Sequence, residues 1–435
     1  MSSTVSFSPY VSAPTTLSAV DATGDWIVAG FGTPEAAIVI EAGTATGDGL
    51  AANLFEGITF FDGINIRSLS SADQDAQTTI NTSMRGSNTR VINQKVGNVV
   101  GLTATAAMIT DGVRFTCTTR STPQVNRWGV LLFKGLAGVK VGSVQASTTV
   151  GGTTAVTGIG FKPDLCMFIN SAVDFFPNDS TNYSNQVISR GVATRETAGI
   201  VQGCTSYFNE DGLADSLITQ RVSNAYVAER ITASSTLLAD VAVASWDTDG
   251  FTLRTDATAG NCFIGYMAMK FSGDHPECKI STYSSGAGAD GTKIFTGYSG
   301  TVQTIIQYST LCPTVNTSYT ASEDSGAYGY SFATTAAAYG NASIVSTPNA
   351  AAANNGVVYN GAGGGTIRFM NLYRPSDLST HVQGNMSSFD STGFKVILNL
   401  NGAAGNILGL TLAICAGDPP ADAIVYQPTS VIFIN

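Results

Sequence analysis

Charged residues are scarce in this chain of 435 residues. Asp, Glu, Lys and Arg together make up 12% of it, about half of the usual quarter. The 21 Lys and Arg residues are scattered, whereas a nucleic-acid-binding protein presents a basic stripe or patch. We therefore expect no nucleic-acid partner. Ser, Thr, Asn and 47 Gly residues must supply the polar surface, and this composition favours β-structure and loops over long amphipathic helices.

Long apolar runs are also missing. No uninterrupted apolar stretch approaches the roughly 18–20 residues that a membrane-spanning helix needs. Residues 1–8 contain no basic segment followed by an apolar one, which a secretory signal would show. The sequence predicts a soluble protein without a membrane partner, made in the cytoplasm and carried outside only by assembly or lysis.

Histidine is nearly absent, with only His275 and His381 present. A Ser/His/Asp or Cys/His site would need one of them beside a nucleophile. His275 precedes Pro276 in a turn-rich stretch that reads as a linker, and His381 lies in a polar segment. The sequence has none of the usual hydrolase, metalloprotease or phosphate-loop motifs. We expect no catalytic residues.

Cofactor and metal motifs are weak. Residues 286–291 match Gly-x-Gly-x-x-Gly, but a strand-like segment follows where a dinucleotide site requires a helix, so a hairpin loop is favoured and no cofactor is expected. The seven cysteines are odd in number and contain no Cys-x-x-Cys pair. Buried free thiols are the favoured interpretation, disulfides remain open, and metal ligation is not expected.

An internal repeat organises the chain. Three blocks, spaced by roughly 140 residues, each contain a turn, an alternating strand, and then a nearly continuous apolar strand. In each block a small polar residue precedes a glycine that we assign to a structural turn: Gly112, Gly250 and Gly393. The apolar strands end near Gly135, Gly273 and Gly417. A repeat of this length corresponds to one domain per copy.

The predicted fold is all-β, with three tandem β-sandwich domains of the jelly-roll type. The first covers residues 1–137 with an amino-terminal arm, the second 138–273, and the third 274–435 with a carboxy-terminal strand or arm. The short linkers favour a rigid row of domains. Residues 71–82 and 229–240 are the best helix candidates.

One turn also resembles a calcium loop. The second copy has Asp247 and Asp249 before Gly250, as in the opening of an EF-hand loop. The matching positions in the other copies lack the paired carboxylates. The repeat preserves the turn and loses the ligands, so a structural turn is favoured and no metal site is predicted.

The second copy carries a family resemblance. Residues 160–165 (Gly-Phe-Lys-Pro-Asp-Leu), followed by 249–253 (Asp-Gly-Phe-Thr-Leu) and an apolar strand, resemble a repeated β-domain of structural and tail-associated proteins of tailed bacteriophages. The third copy keeps Gly393 and Phe394, and the first keeps Asp111 and Gly112. The resemblance implies a β-sandwich and a virion component, and it brings no catalytic residues.

These observations predict a non-enzymatic structural protein of a tailed-phage virion. It would be an exposed accessory protein, such as a decoration, cement, neck or tail component, whose partners are other virion proteins and copies of itself. The alternative is a carbohydrate-binding adhesin or tail fibre that recognises a host glycan. Four aromatic residues are candidates for glycan or subunit contact: Phe175, Phe176, Tyr207 and Phe208.

Overall fold

The structure, a computed structural model, is built from antiparallel β-strands. It describes residues 4–417 except 13–16, 18, 44–53, 75–80, 97–98, 122–125, 172–182, 184, 198, 211, 213–217, 233–235, 259, 285–290, 313, 321–326, 335–338, 347–354, 361–368, 374–379 and 401–405. The described residues contain no α-helix, which confirms the all-β class. Among them, no helix has the length and hydropathy needed to cross a bilayer.

The strands fall into three consecutive sets, here called units 1, 2 and 3. Unit 1 contains β1 (Thr4–Ser12), β2 (Thr23–Ile27), β3 (Ala36–Gly43), β4 (Leu54–Phe61), β5 (Ile66–Gln74), β6 (Asn81–Ser87), β7 (Ile92–Val96), β8 (Val99–Ile109), β9 (Gly112–Arg120) and β10 (Asn126–Lys134). Unit 2 contains β11 (Gly138–Gln145), β12 (Thr153–Val156), β13 (Leu165–Ser171), β14 (Gln186–Glu196), β15 (Gly199–Asn209), β16 (Ile218–Ser223), β17 (Ala228–Ile231), β18 (Leu237–Asp247), β19 (Gly250–Thr258) and β20 (Phe263–Lys270).

Unit 3 has the same number of strands and one addition. It contains β21 (Asp274–Ser284), β22 (Gly291–Phe295), β23 (Thr301–Thr310), β24 (Tyr319–Thr320), β25 (Ala327–Ala333), β26 (Tyr339–Ser346), β27 (Asn355–Asn360), β28 (Met370–Tyr373), β29 (Thr380–Asp390), β30 (Gly393–Leu400) and β31 (Asn406–Ala416). The additional strand is β24, which joins the large sheet of unit 2.

Each unit pairs a large sheet with a four-stranded small sheet, and the strand order recurs. The large sheets run β1-β10-β3-β4-β5-β6, β11-β20-β13-β14-β15-β16 and β21-β31-β23-β25-β26-β27. The small sheets run β2-β9-β8-β7, β12-β19-β18-β17 and β22-β30-β29-β28. Many neighbouring strands are consecutive hairpins, but the last strands of each unit return to the first: in unit 1, β10 lies between β1 and β3, and β9 lies beside β2. This arrangement agrees with the predicted sandwich class.

Burial explains the two kinds of strand seen in the sequence. Some strands of the small sheets alternate, as in β2, where Gly24 and Trp26 face the sandwich core, because their outer face meets solvent. Inner strands of the large sheets are buried on both faces, and every residue of β13 is buried, whereas the edge strand β11 is only partly buried. One face packs on the small sheet of the same unit. The other face must be covered by something else.

That second face is covered by the other units. One hydrophobic cluster, here called the central core, includes Ile38 and Leu131 of unit 1, Met167 of unit 2, and Ile306 and Leu412 of unit 3. The three large sheets therefore pack around a common interior. The predicted row of domains is wrong: a row would leave one apolar face of each large sheet exposed to water, and sharing the faces removes that area.

The contacts between units repeat in a closed cycle. β5 contacts β11, β15 contacts β21, and β26 contacts β1, and these pairs occupy equivalent places in the strand order. Unit 1 thus contacts unit 2 as unit 2 contacts unit 3 and unit 3 contacts unit 1. The chain forms an internal ring of three with approximate threefold symmetry.

Strand addition strengthens this ring. Met84 of β6 forms an antiparallel bridge with Tyr183, which lies between β13 and β14 of unit 2. In the same way β24, which lies between β23 and β25 of unit 3, pairs with β16 of unit 2. In both cases a segment of the next unit forms hydrogen bonds with the last strand of the preceding large sheet. This edge strand would otherwise remain unpaired on its outer side.

Both helix predictions are wrong. Residues 71–82 include the end of β5 and the start of β6, and residues 229–240 include parts of β17 and β18. Short stretches of good helix formers carry little weight here, because long-range strand pairing overrides weak local propensity.

Candidate functional site

Charged side chains meet where the three units join. Arg190 of β14 forms an ion pair with Glu56 of β4, and both side chains are 1% exposed. The other Glu56 oxygen accepts a hydrogen bond of 2.9 Å from the Ser71 hydroxyl. Removing two charges from water is costly unless each has a close partner. This pair therefore fixes unit 2 against unit 1 at one relative position.

Unit 3 contributes an aromatic ring to the same place. The Arg190 guanidinium lies 4.7 Å from the centre of the Tyr330 ring, a cation–π contact. The Tyr330 hydroxyl lies 3.2 Å from the carbonyl oxygens of Glu41 and of Gly57, and it donates a hydrogen bond to unit 1 there. Arg190, Glu56 and Tyr330, here called the junction triad, come from three different units.

A second buried carboxyl lies beside the junction triad. Burial raises the pKa of Glu41 well above its ordinary value of 4.5, with a further contribution from the charge of Glu56. One Glu41 oxygen accepts a hydrogen bond from the Asn93 amide, and the other has no partner among the described residues. Burial therefore favours the protonated, neutral form of Glu41. A junction so deeply buried can hold the units in register, and solvent-borne substrates do not reach it.

Acidic side chains at hairpin ends also join successive units. Asp62, just after β4, accepts a hydrogen bond of 2.8 Å from the Val141 amide of β11. Glu196, at the end of β14, accepts one of 2.9 Å from the Cys278 amide of β21. β4 and β14 are equivalent strands, as are β11 and β21. Each acid therefore binds the first strand of the next unit in the same way, and Val141 and Cys278 occupy equivalent positions.

Unit 2 contains a cluster of acids between its two sheets. Glu229 of β17 lies opposite Asp240 of β18 and forms a 3.0 Å ion pair with Arg221. Burial raises the pKa of Glu229. Burial, together with the charge of Glu229, raises the pKa of Asp240 to about 7. Arg221 pairs with Glu229, and burial beside that carboxyl keeps Asp240 protonated below neutral pH.

Unit 3 contains a polar cluster at one end of β21. The His275 ring lies 2.8 Å from the Gly417 carbonyl at Nδ1, and 3.1 Å from Glu277 and 2.8 Å from Ser299 at Nε2. The Ser299 amide donates a 2.7 Å hydrogen bond to Glu277, and the Ser299 hydroxyl also binds that carboxylate. Cys415 lies directly opposite His275 in the sheet.

This cluster does not have the geometry of a catalytic triad. In such a triad the acid binds one ring nitrogen and the nucleophile binds the other. Here Glu277 and Ser299 share Nε2, and Nδ1 is used by the Gly417 carbonyl. The burial that favours protonated acids is outweighed at Glu277 by the bonds from His275 and Ser299, and the pKa of Glu277 falls to about 2. The acid and the hydroxyl therefore compete for one ring nitrogen, and this arrangement differs from that of a triad.

The histidine prediction needs correction. His275 lies inside β21 and is buried, not exposed in a linker, because β21 is paired with β31 along its whole length. His381 lies in β29. All seven cysteines are described, and all are buried free thiols, as predicted.

The three predicted turn glycines each begin a strand after a two-residue hairpin turn. Gly112, Gly250 and Gly393 start β9, β19 and β30. A Cβ atom at these positions would lie 1.8, 1.9 and 1.8 Å from a backbone carbonyl oxygen of the neighbouring strand. Glycine is required mainly by this close approach. Only Gly250 also has a positive φ, of 145°.

The aspartates before two of these glycines bind backbone amides. Asp111 accepts hydrogen bonds from Gly30 and Gly32, and Asp249 accepts them from Gly158 and Gly160. These bonds lower the pKa of both carboxyls.

The second carboxylate of the calcium-like turn is also engaged. Asp247 accepts hydrogen bonds from Ser245 and Thr252. Both carboxylates of that turn therefore stabilise local backbone and hydroxyl groups, in agreement with a structural turn.

The predicted aromatic contacts divide into two groups. Tyr207 and Phe208 of β15 are 2% and 6% exposed and belong to the central core, so neither ring is available to a glycan or another subunit. Both faces of β15 are covered, one by its own unit and one by unit 3. Two adjacent aromatic residues in a strand do not indicate from sequence alone whether its faces are covered. Phe175 and Phe176 lie outside the described residues.

No local sequence signal predicts the junction triad or the unit 3 cluster. Their members are far apart in sequence, and Arg190 and Glu56 are separated by 134 residues. A buried Arg in a strand with few charges is the one available hint, since unpaired charges are almost never fully buried.

No protein-family model matches the chain, and no curated protein matches it at a significant level.

Proposed function

We propose that this protein is a non-enzymatic structural component of a tailed-phage virion, exposed on the particle as a decoration, cement, neck or tail protein. The observation that carries the proposal is the internal ring of three units around the central core. Such a ring is a rigid body stabilised by burial and by the junction triad. The side chains of its described polar clusters bond one another, and none of these clusters has the arrangement of a catalytic triad.

Symmetry supports a role in a particle. A ring of three similar units presents three similar faces, so it fits a threefold position as a homotrimer would. Fusing three copies in one chain removes the entropy cost of assembling the trimer from separate subunits. A protein that caps or cements a threefold position of a shell would gain from this arrangement. We propose that its partners are other virion proteins meeting at such a position.

The first experiment locates the protein in particles. Antibodies raised against the purified chain would be applied to phage particles from cells that encode it, with gold labelling and electron microscopy, and particle proteins would be identified by mass spectrometry. The proposal predicts regular surface labelling and a fixed copy number per particle. Absence of the chain from purified particles would reject it.

A second experiment separates the adhesin alternative. The purified chain would be applied to a glycan array and, in parallel, to particles stripped of accessory proteins. A structural role predicts saturable binding to the stripped particles and no glycan selectivity. Selective glycan binding without binding to particles would favour an adhesin instead.

A further inference from the structure

Three different metal-ligating side chains meet at the end of unit 3. His275 and Glu277 alternate along β21 and so point to the same face of the sheet, and Cys415 of β31 lies directly opposite His275. All three are buried, and their ligand atoms lie within 4.8 Å of one another. Imidazole nitrogen, carboxylate oxygen and thiolate sulfur are the donors that Zn²⁺ takes in proteins. We propose that His275, Glu277 and Cys415 bind a Zn²⁺ ion.

The imidazole is held in the orientation of a metal ligand. A carbonyl only accepts hydrogen bonds, so His275 Nδ1, 2.8 Å from the Gly417 oxygen, carries a proton. In a neutral imidazole Nε2 then carries the lone pair, which faces Glu277 and the Ser299 hydroxyl. Metal-ligating histidines commonly donate their second ring nitrogen to a carbonyl in this way. The bond to Gly417 thus directs Nε2 into the cluster.

His275 faces one oxygen of Glu277, and the Lys279 ammonium lies 3.4 Å from the other. His275 Nε2 and Glu277 Oε1 are 3.1 Å apart, and both are acceptors when the imidazole is neutral and the carboxylate is ionised. Either a proton on Nε2 or a metal ion between the two groups removes this repulsion. A metal ion between these two groups would also be within reach of the buried Cys415 thiol, because all three ligand atoms lie within 4.8 Å of one another.

The distances suit a small ion after slight adjustment. With Zn–S about 2.3 Å and Zn–N about 2.0 Å, tetrahedral ligand atoms lie roughly 3.5 Å apart. The ligand atoms here lie within 4.8 Å of one another. Side-chain movements of about 1 Å would bring them to the tetrahedral separation. Ser299 lies at this end of the cluster and is exposed. A water molecule or the Ser299 hydroxyl would complete the coordination from the solvent side.

The three side chains are particular to unit 3. Val141 and Cys278 are equivalent, and three residues earlier in each strand lie Gly138 and His275. Their cross-strand partners are Lys270 and Cys415. In unit 1 the corresponding pair is Thr4 and Lys134.

Glu277 follows the same pattern. Its equivalents in units 2 and 1, two residues after Gly138 and Thr4, are Lys140 and Ser6. The shared fold therefore does not require ligand-type residues at any of the three positions. Unit 3 alone has acquired all three together.

The test uses the full-length chain and cobalt as a spectroscopic substitute for zinc. The proposal predicts that one Co²⁺ binds per chain and gives a thiolate-to-cobalt charge-transfer band together with the intense visible bands of tetrahedral coordination. Added Zn²⁺ should displace the cobalt, and these bands should then disappear. Cys415→Ala should abolish the charge-transfer band. His275→Gln and Glu277→Gln should each weaken cobalt binding at least about tenfold.

The matched control is Cys166→Ala. Cys166 is also a buried free thiol in a large sheet, and this variant should keep the spectrum and affinity of the wild type. Absence of the charge-transfer band in the folded wild-type chain would overturn the proposal, as would its persistence in Cys415→Ala. Circular dichroism establishes folding. If Cys415→Ala does not fold, the wild-type cobalt spectrum and zinc content after dialysis decide the question.

Discussion

The Arg190 guanidinium of unit 2 is paired with the Glu56 carboxylate of unit 1 at a place that no solvent reaches. A buried pair stabilises little relative to a well-packed apolar pair, but losing one partner leaves an uncompensated charge. The pair therefore acts on specificity: it disfavours any arrangement of the units in which the two groups do not meet. The Tyr330 ring from unit 3 extends this control to the whole ring of units.

The first prediction concerns this pair. Glu56→Leu and Arg190→Met should each lower the free energy of unfolding by about 3–5 kcal/mol, because each leaves a buried charge unpaired. The double variant should recover most of that loss. Chemical denaturation of the four proteins measures the coupling energy.

The control is an exposed ion pair of similar geometry. Arg114 and Asp25 lie 2.7 Å apart, and their side chains are 49% and 34% exposed. Replacing either with Ala should change stability by at most about 1 kcal/mol. Equal effects at the buried and exposed pairs would show that the Arg190–Glu56 contact does not hold the units together.

The second prediction concerns the turn glycines. Gly250→Ala should destabilise the protein by more than about 2 kcal/mol, because the new Cβ would lie 1.9 Å from the Val156 carbonyl oxygen. The neighbouring backbone cannot move without breaking the β12–β19 pairing. Gly291→Ala is the matched control, since its Cβ would meet no atom within 4 Å. Thermal melting should separate the two variants clearly; similar melting temperatures would contradict the close-approach argument.

The third prediction concerns the dependence of the units on one another. Residues 138–273 in isolation should self-associate, because the face of the unit 2 large sheet carrying Met167, Ile169 and Met267 would lose its cover from units 1 and 3. Size-exclusion chromatography with light scattering measures this. Met267→Lys should reduce association of the isolated segment and destabilise the full-length chain. A well-behaved monomer of the unsubstituted segment would contradict the shared-core arrangement.

The sequence contained enough to predict the repeated hairpins. Gly112, Gly250 and Gly393 follow small polar residues and precede alternating strands, and both signals are local. The nearly continuous apolar strands, such as β13, indicated burial on both faces. Periodicity does not reveal what covers a face, and for that reason a row of sandwiches and a closed ring were equally compatible with the pattern.

The polar clusters could not be predicted for the same reason. Arg190 meets Glu56, and His275 meets Cys415, only through strand pairing and unit packing that bring distant segments together. No spacing rule covers such pairs. The repeat offered one usable signal after the register was known: His275 and Cys415 stand where unit 2 has Gly138 and Lys270.

The last prediction concerns pH. Because the pKa of Asp240 is raised to about 7 in the folded protein, only the folded state keeps this proton between pH 4 and 7. The contribution of protonated Asp240 to the free energy of unfolding is therefore fully present below about pH 4 and is lost as pH rises through about 7. Asp240→Asn should be more stable than the wild type by about 2 kcal/mol at pH 8, roughly half of the full conversion, because the titration of Asp240 is coupled to that of the facing Glu229 carboxyl.

Unfolding free energies measured from pH 4 to 8 provide the check, and the advantage of Asp240→Asn should grow with pH across that window. Asp25→Asn is the control of opposite sign. The hydrogen bond from Arg114 lowers the pKa of Asp25, so the ionised form of Asp25 stabilises the fold. Removing its charge should lower the free energy of unfolding at neutral pH and change it little at low pH. A pH-independent difference between Asp240→Asn and the wild type would mean that Asp240 is ionised in the folded protein across the whole range. The facing Glu229 carboxylate would then have to carry the proton instead, and Glu229→Gln would show the pH-dependent gain.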